Sequence, residues 1–298
     1  MRRVQDEIHE LDDFALRGTL PRGAPVNTGL GGRFAVVTGA ASGIGRAVCA
    51  ALLSEGCAVA GLDRDQAALD RAAQEFAALP PSPDGSRLAT SDDGAPAPAA
   101  AAFVPLCLDL CDETTVQTAF ASLADRFGSL DLLVSCAGVS GPVGTPLEDT
   151  ELREWRTVLD VNLLAPFLVL KHALPLLREG RQPAVVLLAS DSAVVAAPGM
   201  APYCASKAGL VQLGRAVAVE WAGHGIRVNS LCPSVVDTPM SRTDLEKPGG
   251  FADAAFPVQS PEQVAQQVLF LLSPQLGPVN GTTLLSDFAY SARSAFPA

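Results

Sequence analysis

The chain has 298 residues, 48% of them hydrophobic and 18% charged, with a formal net charge of −11. That length allows one large or two small domains at about 100–200 residues each, and the low charge content excludes disorder along the whole chain. The acidic balance, with only Lys171, Lys207 and Lys247 as lysines, argues against nucleic-acid and anionic-membrane partners, which need clustered cations.

Residues 1–31 are polar, with Gly and Pro gathering from Gly18 to Gly32, and read as a helix-prone extension with a flexible lead-in. The opening MRRVQDEIHELDD lacks the apolar stretch of a secretory signal. FAVV at 34–37 predicts a buried strand that runs into TGAASGIG. Apolar positions 44, 47, 48, 51, 52 and 53 then predict an amphipathic helix closed by Gly56. CAVAGLD at 57–63 reads as a second strand and 65–79 as a second helix. Residues 80–102 are rich in Pro, Ala, Gly and Asp, the composition of a solvated loop or disordered insertion.

A strand at 103–110, a helix at 113–127 and a strand at 130–138 follow. Residues 148–180 read as helical with breaks near Pro166 and Pro175. Next come a strand at 183–190, a helix at 202–223 and a strand at 226–233. A helix at 260–274 opens on Ser260 with Pro261 at its first position, and 281–286 is a last short strand. No apolar run reaches the ~18–20 residues of a membrane helix. The expected organisation is one domain over 32–290, flanked by the 1–31 extension and a 291–298 tail.

Apolar strands alternating with helices predict a doubly wound α/β fold, a parallel sheet with helices on both faces. Ligands on such sheets bind at the carboxyl ends of the strands, where the strand order reverses. The seven cysteines are scattered, several inside apolar runs, as reduced thiols of a cytoplasmic protein are. Cys107 and Cys111 have a ligand-like spacing, but His9, His172 and His224 are isolated, so no metal site is expected.

TGAASGIG spans Thr38 to Gly45 between a strand and a helix. Gly39 permits the turn, Gly43 lets a pyrophosphate approach the backbone, and Gly45 lets helix and strand pack. The N–H groups and positive dipole of the helix N-terminus suit phosphate. Asp63 follows the second strand, 18 residues beyond Gly45. An acid there accepts hydrogen bonds from ribose hydroxyls and repels a 2′-phosphate, or merely starts a turn. Ser42 offers no charge to such a phosphate, while Arg64 is adjacent to Asp63. The balance favours NAD over NADP.

Tyr203 and Lys207 stand four apart near the start of a helix and share a face. A neighbouring ammonium is expected to lower the phenol pKa from ~10, making Tyr203 a general base toward an alcohol, or the acid in reverse. Ser190 ends a strand 13 residues earlier, where its hydroxyl can hold a substrate oxygen. Ser192 is the competing choice, and either serine can be a simple cap.

In order and spacing, TGAASGIG, SCAG, VNLL, Ser190, YCASK and PSVVDT resemble the short-chain dehydrogenase/reductase family over about residues 33–290. The resemblance implies a Rossmann-like fold. It implies Tyr203 as acid/base, Lys207 binding the nicotinamide ribose, Ser190 positioning the substrate, and Asn162 supporting a proton-relay water or bracing helix to strand. It implies cofactor contacts from Gly39, Ser42, Gly43, Ile44 and Gly45, and from Asp63, Asp109 and Leu110 toward the adenosine. Ala137, Gly138, Pro233, Val236 and Thr238 match positions toward the nicotinamide and diphosphate. Asn229 matches a structural position. Ser135-Cys136-Ala137-Gly138 departs from the family's NNAG, Pro233-Ser234 from its PG, and Ser286-Asp287-Phe288-Ala289 from a VDGG-like segment, where the loss of both glycines is expected to change the backbone.

The expected function is hydride transfer between NAD(H) and a secondary alcohol or ketone. The segment 239–258, with Met240, Phe251 and Phe256, is placed as a lid over an apolar or cyclic substrate, or as an ordinary loop. Helices around 155–172 and 205–221 are candidates for pairing in a homodimer or homotetramer, and Trp155 and Trp221 there are equally candidates for core. The alternatives are an NADPH-dependent ketone reductase and a non-catalytic dinucleotide-binding regulator or scaffold.

Overall fold

The computed structural model describes residues 28–79 and 103–292. The expectations for residues 1–27, for the 80–102 insertion and for the chain beyond 292 lie outside the described residues.

The strands are β1 (Phe34–Thr38), β2 (Ala58–Asp63), β3 (Phe103–Cys107), β4 (Leu132–Ser135), β5 (Ala184–Leu188), β6 (Arg227–Pro233) and β7 (Thr283–Ser286). They form one sheet of order β3-β2-β1-β4-β5-β6-β7, every pair parallel. The helices are α1 (Gly43–Ser54), α2 (Gln66–Ala77), α3 (Glu113–Phe127), α4 (Leu152–Leu159), α5 (Ala165–Arg178), α6 (Ala201–Trp221), α7 (Pro239–Asp244) and α8 (Pro261–Leu272). The chain winds outward from β1 to β3, then crosses to β4 on the other side of β1 and winds outward again. The order therefore reverses between β1 and β4, and a crevice opens at their carboxyl ends.

Alternation along each strand divides the core into two layers. Phe34, Val36, Leu133, Val185 and Leu187 pack on one face with Leu123, Leu177 and Leu210 from α3, α5 and α6. Ala35, Val37, Val134 and Val186 pack on the other with Val48, Leu69 and Val268 from α1, α2 and α8. Trp221 belongs to the core, whereas Trp155 is only half-buried.

Caps explain several helix bounds. Asp65 accepts from Ala68 N–H, Asp112 from Thr114 N–H, and Ser260 and Gln263 form a reciprocal box. At the opposite end of α8, buried Arg227 donates to the carbonyls of Leu271, Leu272 and Ser273 at 3.0 Å each, satisfying the helix terminus.

The expected helix breaks at Pro166 and Pro175 do not occur. Helix runs on from Leu152 to Arg178 through a π segment at Asp160–Leu164. Pro166 has no N–H to give the Asn162 carbonyl, and the i→i−5 pattern, seen from Ala165 N–H to the Asp160 carbonyl, absorbs that loss. Pro175 falls in the last turn, where the carbonyl it leaves unpaired belongs to exposed Lys171. This 27-residue helix is long and apolar enough to cross a membrane by length and composition, although its apolar residues do not form an uninterrupted run of that length. It lies across the fold, with 44% of its most apolar window buried.

Candidate active site

The turn after β1 is shaped by what its glycines lack. Gly39 has φ +66°, and a Cβ on it would lie 2.9 Å from the Ala137 nitrogen. A Cβ on Gly45 would lie 2.1 Å from the Gly39 carbonyl oxygen. The first helical bond of α1 is Arg46 N–H to the Ser42 carbonyl, so the N–H groups of Gly43, Ile44 and Gly45 precede the ladder. Buried Thr38 accepts from Cys136 N–H at 3.1 Å and Ala137 N–H at 3.2 Å, tying this turn to the loop after β4. The SCAG bracing is thus main chain to threonine and needs no asparagine amides.

Two cavities meet at the carboxyl end of the sheet. The first, about 380 Å³, is walled by Gly39, Ser42, Gly43, Gly45, Asp63 and Asp109, with Leu110, Ala137, Gly138 and Lys207 deeper along it. Asp63 accepts from Ala41 N–H and Asp65 N–H, both at 3.1 Å, so it does start the next turn while also facing the cavity. Asp109 accepts from Cys111 N–H at 2.9 Å. The second cavity, about 610 Å³, is walled by Ser190, Ser192, Met200, Pro233 and Val236, with Met240, Asp244 and Phe256 across it. Ile44, Ala189, Tyr203, Thr238 and Met240 border both.

Pro233 and Val236, expected beside the cofactor, line the second cavity. Ser234 N–H bonds the Ser286 carbonyl at 3.0 Å and Val236 bridges Gln259, which pins this segment to the β7 side. Thr238 caps α7 by accepting from Ser241 N–H at 3.2 Å. Asn229 donates to the Val279 carbonyl and accepts from Thr282 N–H, a brace between β6 and the approach to β7.

Ser190 separates itself from Ser192 by geometry. Its hydroxyl accepts from Ser192 N–H at 3.1 Å and donates to Asp191 at 3.0 Å, and it lines the second cavity together with Tyr203. Lys207 is buried on the next turn of α6, its Nζ 3.0 Å from the Leu188 carbonyl and 5.6 Å from the Tyr203 ring centre.

The electrostatics correct the expected sign. Burial pushes the Tyr203 phenol up to about 12, opposed by the Ser190 hydroxyl and reinforced by Asp191 and Asp244. Burial likewise drops Lys207 to about 8. Desolvation is the largest cause of both shifts and disfavours both charged forms.

Of the two roles implied for Asn162, its contacts are those of the brace. Fully buried in the π segment, it lines neither cavity. Its Nδ2 donates to the Val139 carbonyl at 2.9 Å and Ser206 Oγ at 3.0 Å, and its Oδ1 accepts from Val139 N–H at 2.9 Å. Ser206 in turn donates to the Tyr203 carbonyl at 2.7 Å. Asn162 therefore joins the loop after β4 to the helix that bears Tyr203.

Four residues that the motifs did not indicate also face the second cavity: Ser140, Asp191, Asp244 and Asp287. Ser140 Oγ donates to Asp244 Oδ1 at 2.9 Å. Asp244 ends α7, inside the segment expected as a lid, and is separated from Ser140 by more than a hundred residues, too far for local spacing to reveal.

A family model described as enoyl-(acyl carrier protein) reductase matches residues 39–291. The D-threitol dehydrogenase of Mycolicibacterium smegmatis is 32% identical over 268 residues, covering 89% of this chain and 95% of that protein. The chain belongs to the short-chain dehydrogenase/reductase family. Another member, the mitochondrial borneol dehydrogenase of Lavandula x intermedia, is 34% identical over 259 residues, covering 87% of this chain and 90% of the relative. The crystal structure of 3-ketoacyl-(acyl-carrier-protein) reductase from Brucella melitensis complexed with NADH superimposes with a TM-score of 0.73 at 27% identity, covering 88% of this chain and 99% of that one.

As a short-chain dehydrogenase/reductase, the chain is an oxidoreductase with a dinucleotide site. In the SDFA corner, Phe288 and Ala289 adopt φ +53° and +63°, the left-handed region that glycine favours. Asp287 holds the corner by accepting from Ala289 N–H at 3.0 Å and Ser291 N–H at 2.9 Å.

Proposed function

We propose that this protein is an NAD(H)-dependent oxidoreductase that interconverts a secondary alcohol and its ketone. The carrying observation is Tyr203: it stands on the wall shared by the two cavities, with Ser190 in the second of them and Lys207 one turn along. The first cavity fits a dinucleotide. Its glycine turn has no room for a Cβ at Gly39 or Gly45, and helix N–H groups and the Asp63 carboxylate lie along one wall.

Gly43, Ile44 and Gly45 would hold the diphosphate, Asp63 the adenosine ribose, Asp109 and Leu110 the adenine side, and Ala137, Gly138, Lys207 and Thr238 the nicotinamide side. When bound, the cofactor accepts or supplies a hydride. Ser190 orients the substrate oxygen through its hydroxyl, and Tyr203 Oη exchanges that oxygen's proton. Lys207 holds positive charge beside the ring, anchored by the Leu188 carbonyl. Asn162 positions α6 through Ser206.

Asp63 underlies the preference for NAD, because a 2′-phosphate would meet its carboxylate. The apolar walls Met200, Met240, Phe256 and Val236 suit an apolar or cyclic alcohol, in keeping with the name of the borneol dehydrogenase. The seven thiols, all free, suit the cytoplasm. Exposed Leu152, Leu164 and Phe167 on α4, the π segment and α5 are the surface for self-association into a dimer or tetramer.

The test is a panel of alcohols and ketones screened with NAD⁺, NADH, NADP⁺ and NADPH, followed by the absorbance of the reduced cofactor. Turnover with NAD(H), with tighter binding of NADH than of NADPH, is expected. Cofactor binding without turnover of any member would mark a non-catalytic regulator, and tighter NADPH binding would mark the NADP-dependent reductase.

A further inference from the structure

We propose that the second cavity selects neutral or cationic alcohols and ketones and rejects those bearing a carboxylate, phosphate or sulfonate, with Asp244 as the specificity-determining residue. This rests on the assignment of that cavity as the substrate site. Three carboxylates, Asp191, Asp244 and Asp287, face the space of about 610 Å³, and no Lys, Arg or His does among the described residues. Two cations come near without serving it. Arg242, on α7, is turned onto Asp237 through two hydrogen bonds, one of them 3.0 Å, which neutralises both. Lys207 lines the other cavity, with its Nζ on the Leu188 carbonyl.

The three acids are not equivalent. Asp287 is consumed by the backbone of its own corner, through Ala289 N–H and Ser291 N–H. Asp191 accepts from the Ser190 hydroxyl. Asp244 has one oxygen on Ser140, and among the described residues nothing pairs with the other. Much of the remaining wall is apolar, including Val143, Val195, Leu245 and Phe256. A carboxylate entering this space would lose water, find no cation and face three negative charges, the costliest way to bury a charge. A hydroxyl or ammonium would instead give the second oxygen of Asp244 a donor. Burial raises the carboxyl pKa of Asp244 from its ordinary value, as a desolvated acid in want of a donor requires.

The test uses three cyclohexanols that bear at C4 a carboxylate, a carboxamide or an aminomethyl group. Their binding to the NADH-loaded protein is measured by calorimetry, and their turnover with NAD⁺ is measured separately. At about 20 mM salt the carboxamide and the amine are expected to bind at least about tenfold more tightly than the carboxylate. The gap to the carboxylate shrinks at about 500 mM salt and again in Asp244→Asn, and the salt series on the unaltered chain needs no variant to fold. Equal or tighter binding of the carboxylate, a gap indifferent to both salt and Asp244→Asn, or binding of none of the three would overturn the proposal. Charge-graded binding with no turnover of any alcohol would instead sink the oxidoreductase assignment and leave the selectivity standing.

Discussion

Lys207 holds an ammonium in a crevice that drops its pKa from 10.5 to about 8. Between those values the unfolded chain binds the proton and the folded one releases it. Burial of the charge therefore costs most below about pH 8, and stability recovers as pH rises toward 10.5. The difference corresponds to at most about 3 kcal/mol. Lys207→Met is accordingly expected to melt higher than the unaltered protein at pH 7 while losing turnover, with the gap closing toward pH 10.5. A variant that melts lower at pH 7, by calorimetry, would contradict this cost. Tyr203 carries the companion prediction. Alcohol oxidation needs its base form and ketone reduction its acid form, so the first rate rises with pH and the second falls, as pH–rate profiles in both directions will show. Both residues were legible in YCASK. The sign of their shifts was not, because it comes from Ala189, Leu188 and the rest of the crevice wall, distant in sequence.

Elements show where local pattern stops being informative. Helix α3 was readable to the residue, since Asp112 caps it and Gly128, at φ +72°, ends it. Strands β3 and β4 stop before the expected ends because Leu108–Leu110 and Cys136–Gly138 leave the ladder for the cavity, although Leu108, Leu110 and Ala137 remain apolar. The helix through Pro166 illustrates the opposite error, a correct local rule overridden by a π segment. The corner after β7 holds two residues in the left-handed region without glycine. Ala289→Gly is expected to stabilise the fold by about 1 kcal/mol, the left-handed penalty less the added chain entropy. Urea unfolding checks it, and a loss of stability would show that the corner is unstrained.

At the scale of the molecule, alternation of buried strands and helices was enough to infer a doubly wound sheet, and the reversal between β1 and β4 is where the glycine turn, the SCAG loop and Asp63 converge. The second cavity was legible only in part: Ser190, Met240 and Phe256 were expected at the substrate, but its acidic lining was not, because Asp191, Asp244 and Asp287 reach it from well-separated stretches of the chain. The proposed self-association belongs to this scale too. Phe167 is 45% exposed on α5, and Phe167→Glu is expected to shift the protein toward monomer by light scattering, whereas an unchanged mass would remove this face from the interface. The claim on which the function turns is that Tyr203 moves the proton. The direct measurement is the initial rate of NADH formation by the unaltered protein and Tyr203→Phe on the same alcohol, with NAD⁺ binding followed in parallel. A rate loss of about a hundredfold or more with cofactor affinity held within about threefold is predicted, and a rate within about threefold of the original would contradict it.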